Sequence, residues 1–233
     1  MSEPEPLDLL RRAQITVKGR LPWSSNVTLL VELTHGRATA LAVYKPGRGE
    51  RRLWDFPPGL YRRELAAYEL SEALGWRLIP PTIVRDGPLG EGSIQLFVSA
   101  DFAQHYLTLV ERPEHRERLQ QLCAFDLLAN NADRKSGHCL LGPDAQIHAI
   151  DNGLTFHHEW KLRTVIWEFA NEPIPDDMLV AIRRLASGGL PPAVAELLEP
   201  AEQEALLARG QGLLDEPRFP AASSSARYPW PLV

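Results

Sequence analysis

Hydrophobic and polar residues alternate with a period of two through most of the first hundred positions. "ITVKGRL" and "VTLLVEL" flank the polar turn "PWSSN", and "ATALAVYK" carries the alternation on to Lys45, which predicts three strands of a meander. Two shorter runs, "LIPPTIV" and "SIQLFV", predict further strands. Between the two groups the period changes. In "LYRRELAAYELSEALG" the residues Leu65, Ala66, Leu70, Ala73 and Leu74 form a helical stripe, with Glu64 in the first turns and Gly75 as the stop. After the polar break "SADF" the pattern is mostly helical, through "RERLQQLCAFDLLANN" and "DDMLVAIRRLASGG". The expectation is an α+β, bilobal chain. Its strand-rich N-lobe would span residues 10–98 and its helical C-lobe residues 101–215, followed by a Pro/Ser-rich tail over 216–233. That tail reads either as disordered or as a segment docked by Trp230 and its neighbours.

Composition narrows the class. With 233 residues and 44% hydrophobic content, the chain is long enough to bury a full core. Its formal net charge of -5 and the lack of a basic run argue against a nucleic-acid partner. Cys123 and Cys139 are the two cysteines, and both fall in apolar patterns, so they read as small buried residues in a reducing compartment. The acidic start "MSEPEPLDLL" has no apolar core, and no stretch reaches the length of a membrane span, so a cytoplasmic protein with no stable membrane anchor is expected. Lysine is scarce. It occurs at 18, 45, 135 and 161 in a chain otherwise rich in Arg, Ala and Pro, a bias that suggests a GC-rich genome and draws attention to each lysine.

The stretch "NNADRKSGHCLLGPDAQIHAIDNG", residues 130 to 153, carries the candidate chemistry. Asp133 follows a helix, a short hairpin comes next, and Asp151 closes the strand-like "IHAI". Two carboxylates so connected can converge on one point. A kinase-type phosphoryl-transfer site needs a strand lysine for the nucleotide phosphates and a helix glutamate to hold it. It also needs a loop aspartate for the acceptor hydroxyl and a second aspartate for the metal. Lys45, Glu64, Asp133 and Asp151 supply these types in that order. Each has an ordinary explanation taken singly: a solvated strand end, a helix-dipole complement, a turn cap and a hairpin turn. Together, their order and the two-lobe pattern favour a site.

At these residues the chain resembles the type II phosphatidylinositol 4-kinases, within the atypical kinases that include the phosphoinositide 3-kinases and bacterial persistence-toxin kinases. The resemblance rests on "VYKP", "IPPTIV", "GSIQLFV", "NNADRKSGH" and "AIDNGLTF", and covers roughly residues 15 to 180. It implies a protein-kinase-like fold and ATP with Mg2+ or Mn2+ as cofactors. Under it, Lys45 would contact the nucleotide phosphates and Glu64 would pair with Lys45. Asp133 would be the catalytic aspartate and Asp151 a metal ligand. The turn Ser24, Ser25 and Asn26 would cover the phosphates. Gln95, Phe97 and Val98 would run into the adenine-binding hinge. Lys135 falls where many protein kinases keep a lysine that touches the transferring phosphate.

Two departures from the family bear on function. His138 stands where the pattern has Asn, a second metal ligand, so either that metal is lost or the preference moves toward manganese. The Cys-rich insertion of the type II lipid kinases is replaced by the Cys-free "GRGERRLWDF". The acceptor therefore stays open among a protein hydroxyl, a small molecule and a lipid head group. "HHEWKLRTVIWEF" reads either as a reader of an acidic acceptor or as a solvated amphipathic helix. Three functions compete: an active kinase, a nucleotide-binding pseudokinase or scaffold, and a nucleotidyl transferase on the same fold.

Overall fold

The computed structural model describes residues 5–22, 24, 26–221 and 228–232. A short helix, α1 (Pro6–Arg12), precedes β1 (Gln14–Arg20), β2 (Leu29–His35) and β3 (Ala38–Pro46). Helix α2 (Leu60–Ala73) leads to β4 (Thr82–Gly87) and β5 (Gly90–Leu96). The five strands form one antiparallel sheet in the order β1-β2-β3-β5-β4. Lys45 stands near the end of β3 opposite Ser93 of β5, so its side chain shares a face with Val43 and Gln95. The other face, with Val31, Ala42, Tyr44 and Ile94, packs on Leu9 and Leu10 of α1. The sequence pattern missed α1, because seven residues beginning with Pro carry too few turns for a periodic signal.

The helical half contains α3 (Tyr106–Leu109), α4 (Arg116–Ala129), α5 (Asp176–Gly188), α6 (Pro192–Ala195) and α7 (Pro200–Asp215). A hairpin of β6 (Cys139–Leu141) and β7 (Ile147–Ala149) follows α4. The main core joins α4, α5 and α7 to the inner face of α2, which puts α2 between the two halves. Helix α2 is therefore buried more widely than one stripe: Arg63 and Glu64 are buried as well as Ala66, Ala67 and Leu70. Its first turn is satisfied by a loop carboxylate, since the Gly59 and Tyr61 N–H groups donate to Glu50 at 2.9 and 2.7 Å.

The "HHEWKLRTVIWEF" segment is not a helix. Leu162, Val165, Ile166 and Phe169 are drawn into the core, and the chain runs beside the loop after α4 through an Arg134–Thr164 bridge. β-branched residues and local backbone partners win here over the helical pattern. Cys123 and Cys139 are buried and unpaired. No helix among the described residues is long and apolar enough to cross a membrane.

Candidate active site

Helix α4 runs into "NNADRK", residues 130–135, most of which have a distinct structural task. Asn130 caps the helix in the left-handed region at φ 53, a conformation Asn tolerates better than most residues. Its amide donates to His157 O and Glu159 O at 2.9 and 2.6 Å and accepts the Lys161 N–H at 2.9 Å, fixing the segment behind the loop. The Asn131 side-chain oxygen accepts the Asp133 N–H at 2.9 Å. Its amide nitrogen donates to Asp126 at 3.1 Å. Arg134, wholly buried, donates to both oxygens of Asp126, to Ile150 O at 2.8 Å and to Asn152 Oδ1 at 2.6 Å. One guanidinium thus ties α4, the loop bearing Asp133 and the loop bearing Asp151.

That geometry delivers four side chains to one cleft. Lys45 Nζ donates to Glu64 and, at 2.7 Å, to Asp151 Oδ1. The other Glu64 oxygen accepts the Asn152 N–H at 2.9 Å, so the glutamate bridges the strand lysine and the residue after Asp151. Asp151 adopts the left-handed backbone region at φ 57, a strained position of the kind that collects at functional sites. Asp133 faces Lys135 at 3.4 Å.

The electrostatics separate the two aspartates. Lys45 holds Asp151 well below the usual carboxylate range. Burial acts to lower Lys45, but Asp151 and then Glu64 outweigh it, and the ammonium is stabilised overall. Burial instead lifts Asp133 to about 6, with Lys135 pulling it down and Asp151 pushing it up. Asp151 is thus a fixed anion suited to a cation, whereas Asp133 is poised to take up a proton near neutral pH.

His138 lies on the Asp151 side, its Nε2 3.5 Å from Oδ2. Burial pushes the imidazole down to about 4, so it is neutral near pH 7. Its Nδ1 accepts the Lys135 N–H at 3.3 Å. A neutral ring with an accepting Nδ1 carries its proton on Nε2, on the side of the ring that faces Asp151.

Ser24, Asn26, Lys45, Glu64, Asp133, Lys135, His138 and Asp151 all border a single cleft of about 570 Å³ between the sheet and the helical half. That volume falls in the ordinary range of small-molecule sites, about 300–1,000 Å³. Ser24 Oγ is 2.7 Å from Thr28 Oγ1, and Asn26 Oδ1 accepts the Arg51 N–H at 2.8 Å, which fixes both side chains at the cleft. Ser25 lies outside the described residues. Gln95, Phe97 and Val98 do not border this cleft; they lie where the sheet passes into the helical half. The Gln95 amide donates to Thr82 Oγ1 at 2.9 Å, the Phe97 N–H donates to Leu41 O at 3.0 Å, and Val98 O accepts the Ala100 N–H at 3.0 Å.

The donor set fits a nucleotide with a divalent cation. Asp151 is half exposed and offers carboxylate oxygens into the cleft beside Lys45. Among the described residues no group of three or more His, Cys, Asp or Glu side chains is placed to hold a metal by itself.

Sequence reasoning did not assign the buried Asp126–Arg134–Asn152 network. A signal was present, since Asp126 interrupts the apolar run "LCAFDLLA", and a charge in such a run needs a partner. It also did not assign Arg63, which reaches Glu202 of α7 and Thr155 O from the turn of α2 that carries Glu64.

No protein-family model matches the chain. The sequence is 41% identical to protein Rv2133c of Mycobacterium tuberculosis over 260 residues, covering 96% of this chain and 94% of that one. Among solved structures it is similar to hydra Fam20, determined with sugar, at a TM-score of 0.61 and 15% identity, covering 90% of this chain and 87% of that one. It is also similar to the Helicobacter pylori proinflammatory kinase CtkA, at a TM-score of 0.50 and 13% identity, covering 89% and 93%. At these identities the likeness is one of fold, and that fold is protein-kinase-like.

Proposed function

The chain belongs to the family of Mycobacterium tuberculosis protein Rv2133c, and for this member we propose ATP-dependent phosphoryl transfer to a hydroxyl acceptor. The observation that carries the reading is Lys45 held between Glu64 and Asp151, with the proton-accepting Asp133 on the facing loop. The order of "VYKP", "NNADRKSGH" and "AIDNGLTF" supports a type II phosphatidylinositol 4-kinase-like arrangement of the same parts.

In this reading Lys45 binds the nucleotide phosphates and Glu64 fixes its direction, itself held by the Asn152 amide. The turn at Ser24 to Asn26 covers the phosphates with hydroxyl and backbone donors. Asp151 holds Mg2+ or Mn2+ together with phosphate oxygens, and that cation would offset charge on the transferring group. Asp133 orients the acceptor hydroxyl and takes its proton. Lys135, 3.4 Å from Asp133, supplies a cation beside the moving phosphoryl group. His138 places a neutral imidazole beside Asp151; ligation of the metal by its Nε2 would require loss of the Lys135 N–H bond to Nδ1.

A second reading, nucleotide binding without turnover, is favoured by one feature, the imidazole where the related pattern has a second oxygen ligand. Metal-dependent conversion of ATP to ADP by the purified protein separates the two. ATP-induced stabilisation without turnover supports the second reading, and no stabilisation by ATP with either metal overturns both.

A further inference from the structure

Beyond Phe219, which is buried against Phe169, the chain returns to the site: Tyr228–Leu232 lies against the loop that carries Asp133. The Ser136 N–H donates to Leu232 O at 2.7 Å. This amide opens the short turn Ser136–His138, where the first N–H groups have no partner within the turn, so an incoming carbonyl satisfies a donor that is otherwise free. Its direction is fixed, because Ser136 Oγ lies 2.8 Å from His105 Nδ1 and accepts the Leu107 N–H at 3.1 Å. Trp230 and Pro231 border the cleft together with Asp133, Lys135 and His138. Trp230 is 86% exposed, a large apolar surface left at the cleft mouth.

The segment "YPWPL" carries no charge, and its two prolines limit its backbone freedom, which lowers the cost of ordering it. It is held through a backbone carbonyl, which any polypeptide can offer, with Trp230 and Pro231 exposed at the cleft. A phosphorylated head group would instead require cations, and the lysine beside it, Lys135, already faces Asp133.

We propose that the acceptor end of the cleft is a docking site for a proline-containing polypeptide, which the chain's own residues 228–232 fill intramolecularly, and that the acceptor class is a protein hydroxyl. The proposal rests on the reading of Asp133 as the acceptor-side residue. In the transfer, the hydroxyl oxygen bonds to the terminal phosphorus of ATP as the bond to the ADP oxygen breaks, and the hydroxyl proton passes to Asp133. The tethered segment competes with a polypeptide in trans because its local concentration is high, on the order of millimolar.

The test uses the full-length protein and a fluorescein-labelled, C-terminally amidated peptide of residues 228–232, followed by anisotropy. Trp230→Gly with Pro231→Gly loosens the tethered segment, and this variant is expected to bind the peptide at least about tenfold more tightly than the unsubstituted protein. A peptide bearing the same two glycines should not bind. Equal affinity for both proteins, or no binding to either, overturns the proposal, as does binding of phosphatidylinositol vesicles with no binding of the peptide. Thermal stabilisation by ATP in the same samples reports the nucleotide reading separately, so either can fail alone.

Discussion

Asp126 and Arg134 form a wholly buried ion pair, with Arg134 Nε 3.1 and 3.0 Å from the two carboxylate oxygens and Nη2 2.9 Å from one of them. The same guanidinium reaches Ile150 O and Asn152, so the spacing of the two site aspartates depends on it. Asp126→Ala would strand a buried cation, at a cost of about 3–5 kcal/mol by urea unfolding. Arg134→Lys should also fail to preserve stability, because an ammonium cannot reproduce the fork. A loss below about 1 kcal/mol in both variants would show the pair to be dispensable.

Arg63 and Glu202 join the helix bearing Glu64 to α7, both almost fully buried. Arg63→Met alone should lose about 3 kcal/mol or more, and Arg63→Met with Glu202→Leu should recover most of that, since no lone charge remains. A double-mutant cycle by chemical denaturation measures the coupling, and additive losses would mean that the two residues act independently.

Asp133 has a folded-state pKa of about 6 against an ordinary 3.8. The folded protein therefore binds this proton more tightly than the unfolded chain. The associated stability is present at low pH and lost as pH rises through about 6. At pH 7.5, Asp133→Asn should leave the fold as stable or stabilise it by about 1–3 kcal/mol. Turnover should drop at least about 100-fold in this variant while stabilisation by ATP persists. In the unsubstituted protein, turnover should climb as pH rises through about 6 and then level off. Loss of nucleotide stabilisation together with turnover would make Asp133 a structural turn residue.

His138 sets up a metal titration. If the imidazole only flanks Asp151, His138→Asn should leave the magnesium to manganese preference unchanged and change turnover with either metal by no more than about tenfold. A shift from manganese toward magnesium preference in His138→Asn would instead make the imidazole a ligand.

The sheet and the long helices were legible because alternation and 3.6-residue stripes follow directly from which faces are buried. The kinase-like architecture could be read from that pattern together with the order of Lys45, Glu64, Asp133 and Asp151. The course of residues 157 to 169 was not legible, because its apolar residues are spaced by a core they meet only after folding. Arg63 is a similar case, looking like a solvated helix charge until α7, which carries Glu202, packs against α2. The position of Tyr228–Leu232 depends on one backbone bond to Ser136, which leaves no mark on side-chain pattern.

The most direct test of phosphoryl transfer is ATP turnover by the purified protein with Mg2+ or Mn2+, followed as ADP release beside thermal melting. ATP plus metal at about 100 times its dissociation constant should stabilise the fold by about 2.7 kcal/mol. For a chain of this size that is about 5–10 °C in Tm. Turnover should depend on the metal, and Asp151→Asn should abolish both turnover and the metal-dependent part of the shift. Turnover that survives Asp151→Asn, or a protein that neither melts higher with ATP nor releases ADP with either metal, would contradict the assignment of this cleft as a phosphoryl-transfer site.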